Sequence, residues 1–164
     1  MFTFINKNKF FRSLTASFFS FITIGFITIG FISFLTFETD YGFFILASFG
    51  ATMVLLYGYP NSPFAKPKNI FFGHFLTSLI GILFVNYFQF SLLISLPIAV
   101  GFGVGLMILF DVTHPPAGGN PIIIIMGSFS FDYLLSPVIL GSIIIICSGM
   151  VLNRININNS DKFK

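Results

Sequence analysis

The sequence predicts an all-α membrane protein with six membrane segments, four long helices plus two short or broken ones, in a 3+3 inverted repeat. Of the 164 residues, 55% are hydrophobic and only 8% are Asp, Glu, Lys or Arg, whereas about a quarter of a soluble domain is charged. Lipid must therefore replace water around most of the surface. The uncharged stretches are long enough to span a bilayer, and small residues and prolines recur at matching places in both halves.

The six segments follow from the spacing of the charged residues. A spanning helix needs about 20 apolar residues, and the stretches free of Asp, Glu, Lys and Arg are residues 13–37, 41–65, 69–110, 112–131 and 133–153. The third stretch is too long for one helix and divides near residues 86–91. We therefore place segments near 14–37, 41–58, 70–88, 92–110, 114–130 and 134–152, in one transmembrane domain over 1–164 with polar tails at 1–12 and 153–164.

The basic residues predict the orientation of the chain. Six crossings place both termini and the loop with Lys66 and Lys68 on one side, and Glu38 and Asp40 on the other, which satisfies the positive-inside rule. Four crossings with two re-entrant hairpins would leave Lys66 and Lys68 outside. We therefore expect a multi-pass protein of the bacterial inner membrane with cytoplasmic termini.

Composition also argues against several classes of function. Cys147 is the single cysteine, which excludes an intramolecular disulfide and a multi-cysteine metal cluster. The basic residues are scattered beside apolar segments, so topology accounts for the net charge of +3 and no nucleic-acid partner is expected. Neither a phosphate-binding loop nor a catalytic triad is present. We expect no enzymatic activity, no cofactor and no metal site.

The second and fifth segments differ from the others because small residues and prolines interrupt them. Residues 48–52 precede a short apolar run that ends at Gly58, and residues 116–121 precede a similar run that ends at Gly127. A long apolar segment precedes and follows each motif, so residues 14–88 and 92–152 form two units of three. Inverted repeats with broken segments at matching positions indicate a transporter site near the bilayer midplane.

The breaks predict a site for a small anion. Pro115, Pro116 and Pro121 cannot continue a helix, so residues 113–120 should be extended or turned. Half-helices that begin near Ala51 and Asn120 would then direct free amides into the unwound region. The predicted substrate-binding residues are Gly50, Ala51, Thr52, His74, His114, Pro115, Pro116, Gly118, Gly119 and Asn120.

Two histidines are the titratable side chains within the predicted segments. His114 could donate a hydrogen bond to an anion when neutral, and could compensate its charge or pass a proton when protonated. The alternative is a structural histidine bonded to a local carbonyl. His74 lies near a segment end, where it could extend toward the interface instead. Asp111 is expected to cap the next segment or to face water.

The run from Asp111 through His114-Pro115-Pro116 to Pro121 resembles the signature of the HPP family of integral membrane proteins. The run from Phe49 to Asn69, followed by Gly73 and His74, is similar to the same family's pattern. Plastid and cyanobacterial members are associated with nitrite transport, so the resemblance implies nitrite as a candidate substrate. The family is usually described with about four transmembrane helices, which agrees with six segments only if the two broken ones were left uncounted.

Three functions remain open from the sequence. The first is a transporter or facilitator for a small inorganic anion such as nitrite. The second is a passive anion channel that uses the same site, and the third is a membrane protein without transport activity. The expected partners are the lipid bilayer and the anion, and the small size of the chain leaves room for a homo-oligomer.

Overall fold

The computed structural model describes residues 7–34, 45–88 and 90–160, and every regular element in these ranges is helical. The predicted all-α fold class is confirmed. The helices are α1 Lys7–Phe34, α2 Ile45–Gly58, α3 Pro67–Tyr87, α4 Leu92–Leu109 and α5 Asn120–Gly127, followed by α6, which runs through Phe131–Tyr133, a π-helical turn at Leu134–Ile139 and Leu140–Ser160. Short 3-10 helices at Pro63–Ala65 and Pro115–Gly119 precede α3 and α5. Glu38 and Asp40 lie outside the described residues.

Four of these helices are long and apolar enough to cross a membrane, with spans at Phe10–Thr28, Pro67–Tyr87, Leu92–Leu109 and Phe131–Arg154. The other two, α2 and α5, are short. Each half of the chain therefore has a long, a short and a long helix in that order. The inverted relation between the halves and the number of complete crossings stay predictions.

One expected interruption is absent, because α2 is continuous through Gly50, Ala51 and Thr52. The prediction of a half-helix that begins near Ala51 is therefore wrong. The reason is that this run contains no proline, so every residue keeps its amide donor, and one glycine costs a helix only about 1 kcal/mol. The second interruption is present: the 3-10 helix Pro115–Gly119 leads into α5 at Asn120.

Helix α3 lies at the centre of the fold and contacts α4, α5, α6 and both 3-10 helices. One apolar core on it joins α1, α2 and α6 through side chains such as Phe49, Ile82 and Ile145. A second, smaller core joins α3 to α4 and α5 through Ile80, Ala99 and Ile125. Because α3 contributes to both cores, few of its residues are exposed. Helix α4 instead presents a broad apolar surface of the kind that lipid covers.

Helix α6 bends near its start. Ser136 departs from helical backbone angles and Pro137 follows it, so the turn at Leu134–Ile139 lacks regular hydrogen bonding. After the bend, Gly141 lies against the ring of Phe49 on α2. A Cβ at Gly141 would clash with the ring of Phe49, so the absence of a side chain there allows α6 to hold Phe49 in the interior.

Candidate functional site

Four polar side chains from separate parts of the chain meet in the interior. Thr52 belongs to α2 and His74 to α3, and Asn120 begins α5. His114 belongs to residues 110–119 between α4 and α5, which we call the linker. All four are completely inaccessible to solvent. Buried polar groups are costly unless they are hydrogen-bonded, so their partners decide what this cluster does.

The two prolines after His114 explain how this residue reaches the interior. Residues that precede proline avoid helical angles, and His114 is extended at φ −136° and ψ 97°. Gly73 on α3 faces it, and a Cβ on Gly73 would lie 2.7 Å from His114 Cβ. The linker therefore lies directly on the backbone of α3, with the imidazole of His114 in the interior.

Thr52 connects the two histidines. Its Oγ1 lies 2.9 Å from His74 Nε2, 2.9 Å from His114 Nε2 and 3.0 Å from the carbonyl oxygen of Ser48. The two imidazole rings lie 5.0 Å apart between centroids. Since a hydroxyl has one hydrogen and two lone pairs, these three partners impose a definite pattern of donors and acceptors.

The tautomer of His114 is assigned from its second ring nitrogen. Nδ1 lies 2.9 Å from the carbonyl oxygen of Phe64, in the loop before α3. A carbonyl can only accept, so Nδ1 carries the hydrogen. In the neutral ring, Nε2 is then an acceptor, and the Thr52 hydroxyl donates to it.

His74 has the opposite tautomer. Its Nδ1 lies 3.0 Å from Asn120 Nδ2, which also donates to Ser78 Oγ at 3.0 Å and to the His74 carbonyl at 3.4 Å. The carbonyl fixes the orientation of the Asn120 amide, so His74 Nδ1 accepts and Nε2 carries the hydrogen. His74 Nε2 therefore donates to Thr52. The hydrogen bonds run in one direction, from Asn120 through His74, Thr52 and His114 to Phe64.

In the part of the chain that the structure describes, two buried amide oxygens have no hydrogen-bond partner, Asn120 Oδ1 and Asn69 Oδ1. Asn69 is nearly buried on α3, and its Nδ2 donates to the Thr113 carbonyl at 2.9 Å. Leaving a buried acceptor unpaired costs about 1–3 kcal/mol. Both oxygens would gain from a bound water or another hydrogen-bond donor.

Besides the bond between Thr52 and His114, three hydrogen bonds hold the linker in place. Ser48 Oγ donates to the Pro116 carbonyl at 2.6 Å, Asn69 donates to Thr113, and His114 donates to Phe64. These bonds attach the linker to α2, α3 and the α2–α3 loop. At the surface, Lys68 Nζ lies 3.1 Å from Asp111 Oδ2, and the Asp111 side chain is 97% exposed. Asp111 therefore faces water, as expected, and it also pairs with Lys68, which was not predicted.

The structure brings together some of the residues predicted from the sequence. Thr52, His74, His114 and Asn120 form the cluster, and Pro116 contributes its carbonyl to Ser48. Ala51 and Pro115 are exposed, and a Cβ on Gly50, Gly118 or Gly119 would meet no atom within 4 Å. The predicted cradle of amides from two helix starts is thus replaced by a cluster of side chains.

Sequence reasoning missed Ser48, Asn69 and Ser78 as parts of the site. Ser48 precedes Thr52 by four residues and Ser78 follows His74 by four, so each pair shares one helix face. That spacing was a usable signal for these two serines. Asn69 could not be found in this way, because its partner is the backbone of the distant Thr113.

The cluster lies closer to the centre of α3 than to the α2–α3 loop. His74 is seven residues from Pro67, about 10 Å along a helix that rises 1.5 Å per residue. A cavity of about 170 Å³ near this loop is lined by Leu56, Pro60 and Ala65 among others, and does not include either histidine. The site is therefore closed in this conformation.

Comparisons with known proteins find similarity to transmembrane proteins. The family model described as HPP, transmembrane region, matches residues 7–162. Two transmembrane proteins of Dictyostelium discoideum are 29% identical over 117 and 118 residues, which are 67% and 68% of this chain. The chain spans only 41% and 38% of the length of these relatives. No solved structure matches.

Proposed function

Because the chain belongs to the HPP family of transmembrane proteins, we propose that it carries a small inorganic anion across the bilayer, with nitrite as the first candidate. The protein is an integral, multi-pass membrane protein. The relatives from Dictyostelium discoideum are named only as transmembrane proteins. The proposal therefore depends on the chemistry of the site and on the resemblance of the HPP signature to nitrite-transporting members.

The single observation that carries the proposal is the closed cluster of Thr52, His74, His114 and Asn120. Polar side chains inside a membrane protein are expensive and typically mark the path of a substrate or proton. Here they meet beside the interrupted segment, where backbone and side chains can rearrange more easily than in a regular helix. This combination favours a solute path over a purely structural role.

The mechanism differs from the one expected from the sequence. With α2 continuous, one helix start remains, and the positive charge that an anion requires must come from a histidine. His74 and His114 are the groups of the cluster that can become cationic. We propose that the anion binds beside these two imidazoles after the linker has moved.

The linker is the part of the structure that could open this site. Its hydrogen bonds to Ser48, Thr52, Asn69 and Phe64 each contribute about 1 kcal/mol by the usual net value for such bonds. Breaking them together is within the range of ordinary conformational transitions in proteins. The completely buried cluster favours a transporter that closes around its substrate over a passive channel.

We infer transport rather than catalysis because the site is poor in reactive groups. Within residues 7–34, 45–88 and 90–160, no group of three His, Cys, Asp or Glu side chains could hold a metal ion. The carboxylates described there, Asp111 and Asp132, are both exposed. The cytoplasmic termini and a homo-oligomeric state are part of the proposal, and location in a bacterial inner membrane stays a prediction from the sequence.

Reconstitution in proteoliposomes tests the proposal. We expect saturable uptake of nitrite above that of empty vesicles, with formate and chloride as competing anions. Asn120→Leu should reduce uptake at least tenfold, whereas Asn86→Leu, at an exposed position on the same α3 helix that carries His74, should leave it unchanged. Equal nitrite flux with and without the protein would reject the proposal, and unsaturable flux would favour a channel.

A further inference from the structure

We infer that the cluster holds one excess proton, that His114 Nε2 is its binding atom, and that the Thr52 hydroxyl is the switch that accommodates it. In a transporter, this proton would drive the transport step, so its biological role rests on the proposed function. The proton site itself follows from hydrogen-bond geometry alone. It can therefore be tested without any transport measurement.

The first step is that the Thr52 hydroxyl has two possible acceptors. In the neutral cluster the hydroxyl accepts from His74 Nε2 and donates to His114 Nε2. The Ser48 carbonyl, at 3.0 Å, offers an alternative acceptor for the same hydrogen. The hydroxyl hydrogen can change from one acceptor to the other by rotation about a single bond.

The second step adds the proton. When His114 Nε2 binds it, this nitrogen becomes a donor toward Thr52 Oγ1, which lies 2.9 Å away. The Thr52 hydrogen then points to the Ser48 carbonyl, and Oγ1 accepts from both histidines through its two lone pairs. His114 Nδ1 continues to donate to Phe64. Every hydrogen bond is satisfied without displacement of a heavy atom.

His74 cannot take the proton in the same way. Its free nitrogen is Nδ1, and the group that faces this atom is the Asn120 amide donor at 3.0 Å. Protonation there would oppose two N–H groups. Rotation of the Asn120 amide would relieve this conflict, and the Ser78 hydroxyl could then donate to the amide oxygen. The same rotation would turn the amide oxygen toward the His74 carbonyl oxygen, which can only accept. The geometry therefore distinguishes the two histidines, although both are completely buried.

Among the side chains that the structure describes on the surrounding helices, we find no other titratable group that competes for this role. Helix α5 and the residues of α4 contain none, and α2 contributes Tyr57, whose hydroxyl bonds to Ser148. On α3, Lys68 pairs with Asp111 at the surface, and Tyr87 is exposed at the far end. On helix α6, Asp132, Cys147 and Arg154 are exposed, and the ring of Tyr133 stacks on Phe129.

Within residues 7–34, 45–88 and 90–160, neither histidine bonds to a carboxylate, and this determines what must accompany the proton. A buried positive charge without a counter-charge is strongly unfavourable. The two unpartnered oxygens, on Asn69 and Asn120, are acceptors and would repel an anion as long as the cluster is neutral. We therefore expect one proton and one monovalent anion to enter together, so that the transport step moves no net charge.

Nitrogen NMR of the ¹⁵N-histidine-labelled protein in nanodiscs tests the proton site. His74→Gln and His114→Gln variants assign the two resonance sets. We expect the neutral His114 to be the Nδ1–H tautomer and His74 the Nε2–H tautomer, and we expect His114 alone to become doubly protonated as pH falls from about 8 to 5 in saturating sodium nitrite. Protonation of His74 first, identical tautomers, or no protonation of either ring would overturn the inference.

A second experiment separates this inference from the proposed function. An inward proton gradient should accelerate nitrite uptake into proteoliposomes, and the membrane potential should have no effect, after subtraction of the nitrous acid that crosses empty vesicles. Dependence on the potential would overturn the one-to-one coupling. If nitrite is not transported but His114 titrates alone, the proton site stands and the proposed substrate fails.

Discussion

Gly73 and His114 are in such close contact that a single added carbon on Gly73 would lie 2.7 Å from His114 Cβ. This contact places the linker directly on the backbone of α3. It also fixes the position along α3 at which the His114 ring meets Thr52. The position of the imidazole therefore depends on a residue that has no polar group of its own.

Replacement of Gly73 by alanine should displace His114. Overpacking of this kind costs about 1–3 kcal/mol, so we expect a lower unfolding temperature in detergent and loss of nitrite uptake. Gly101→Ala is the matched control, because a Cβ there meets no atom within 4 Å. Alanine in that helix should leave stability unchanged or raise it by up to about 1 kcal/mol. Equal effects of both substitutions would contradict the close contact.

Thr52→Val removes the hydroxyl while keeping the shape of the side chain. Both histidines then lose a partner, which should cost about 1–3 kcal/mol for each buried group left unsatisfied. Thr52→Ser keeps the hydroxyl and should retain most of the acceleration of uptake by a proton gradient. Thr28→Val serves as the control, because its hydroxyl bonds only within α1, to the Ile24 carbonyl. Gradient-driven uptake by Thr52→Val would refute the switch.

Asn120→Asp should transfer the proton to the other histidine. A carboxylate opposite His74 Nδ1 would accept a hydrogen bond and stabilise the cationic ring. We expect NMR to show His74 doubly protonated at neutral pH, with uptake no longer dependent on the proton gradient. Asn86→Asp, at an exposed position on α3, should leave both ring signals as in the wild type. An unchanged His74 signal in Asn120→Asp would be evidence against the assigned amide orientation.

The surface pair of Lys68 and Asp111 should matter little for stability. Their side chains are 51% and 97% exposed, and exposed ion pairs contribute about 0–1 kcal/mol. We expect Asp111→Asn to shift the unfolding temperature only slightly and to leave nitrite uptake within twofold of wild type. Asparagine also tolerates the left-handed angle of φ 54° at this position. A complete loss of transport would instead place Asp111 in the solute path.

The sequence was sufficient to predict much of the fold. Charge spacing located the long helices, with the stretch 69–110 divided at its polar residues near 86–91. Charges mark segment ends because water is the only solvent in which a charge is inexpensive. The predicted segment 70–88 corresponds to Pro67–Tyr87, and 92–110 to Leu92–Leu109. Prolines correctly located the interruption at 115–119. Small residues alone misled at Gly50 to Thr52, since helix formation requires only that the amides be present.

The four central residues of the site were predictable, but the other members and the pattern of bonds were not. Intramembrane polarity pointed to His74 and His114, and the small-residue motifs pointed to Thr52 and Asn120. The directions of the hydrogen bonds depend on tertiary contacts such as that between His114 and Phe64, which are 50 residues apart. No local pattern encodes such a contact, so the tautomers and the difference between the two histidines required the structure.

Thr52 and His74 are synthesised well before His114 and Asn120, and this order has a consequence for biogenesis. When α1 to α3 have entered the bilayer, their buried polar groups still lack the partners that the later linker and α5 provide. The nascent protein must therefore pass through an intermediate with unsatisfied groups facing lipid or the insertion machinery. When α5 packs against the earlier helices, it should supply these partners. Membrane quality control should then no longer recognise the protein as unfolded.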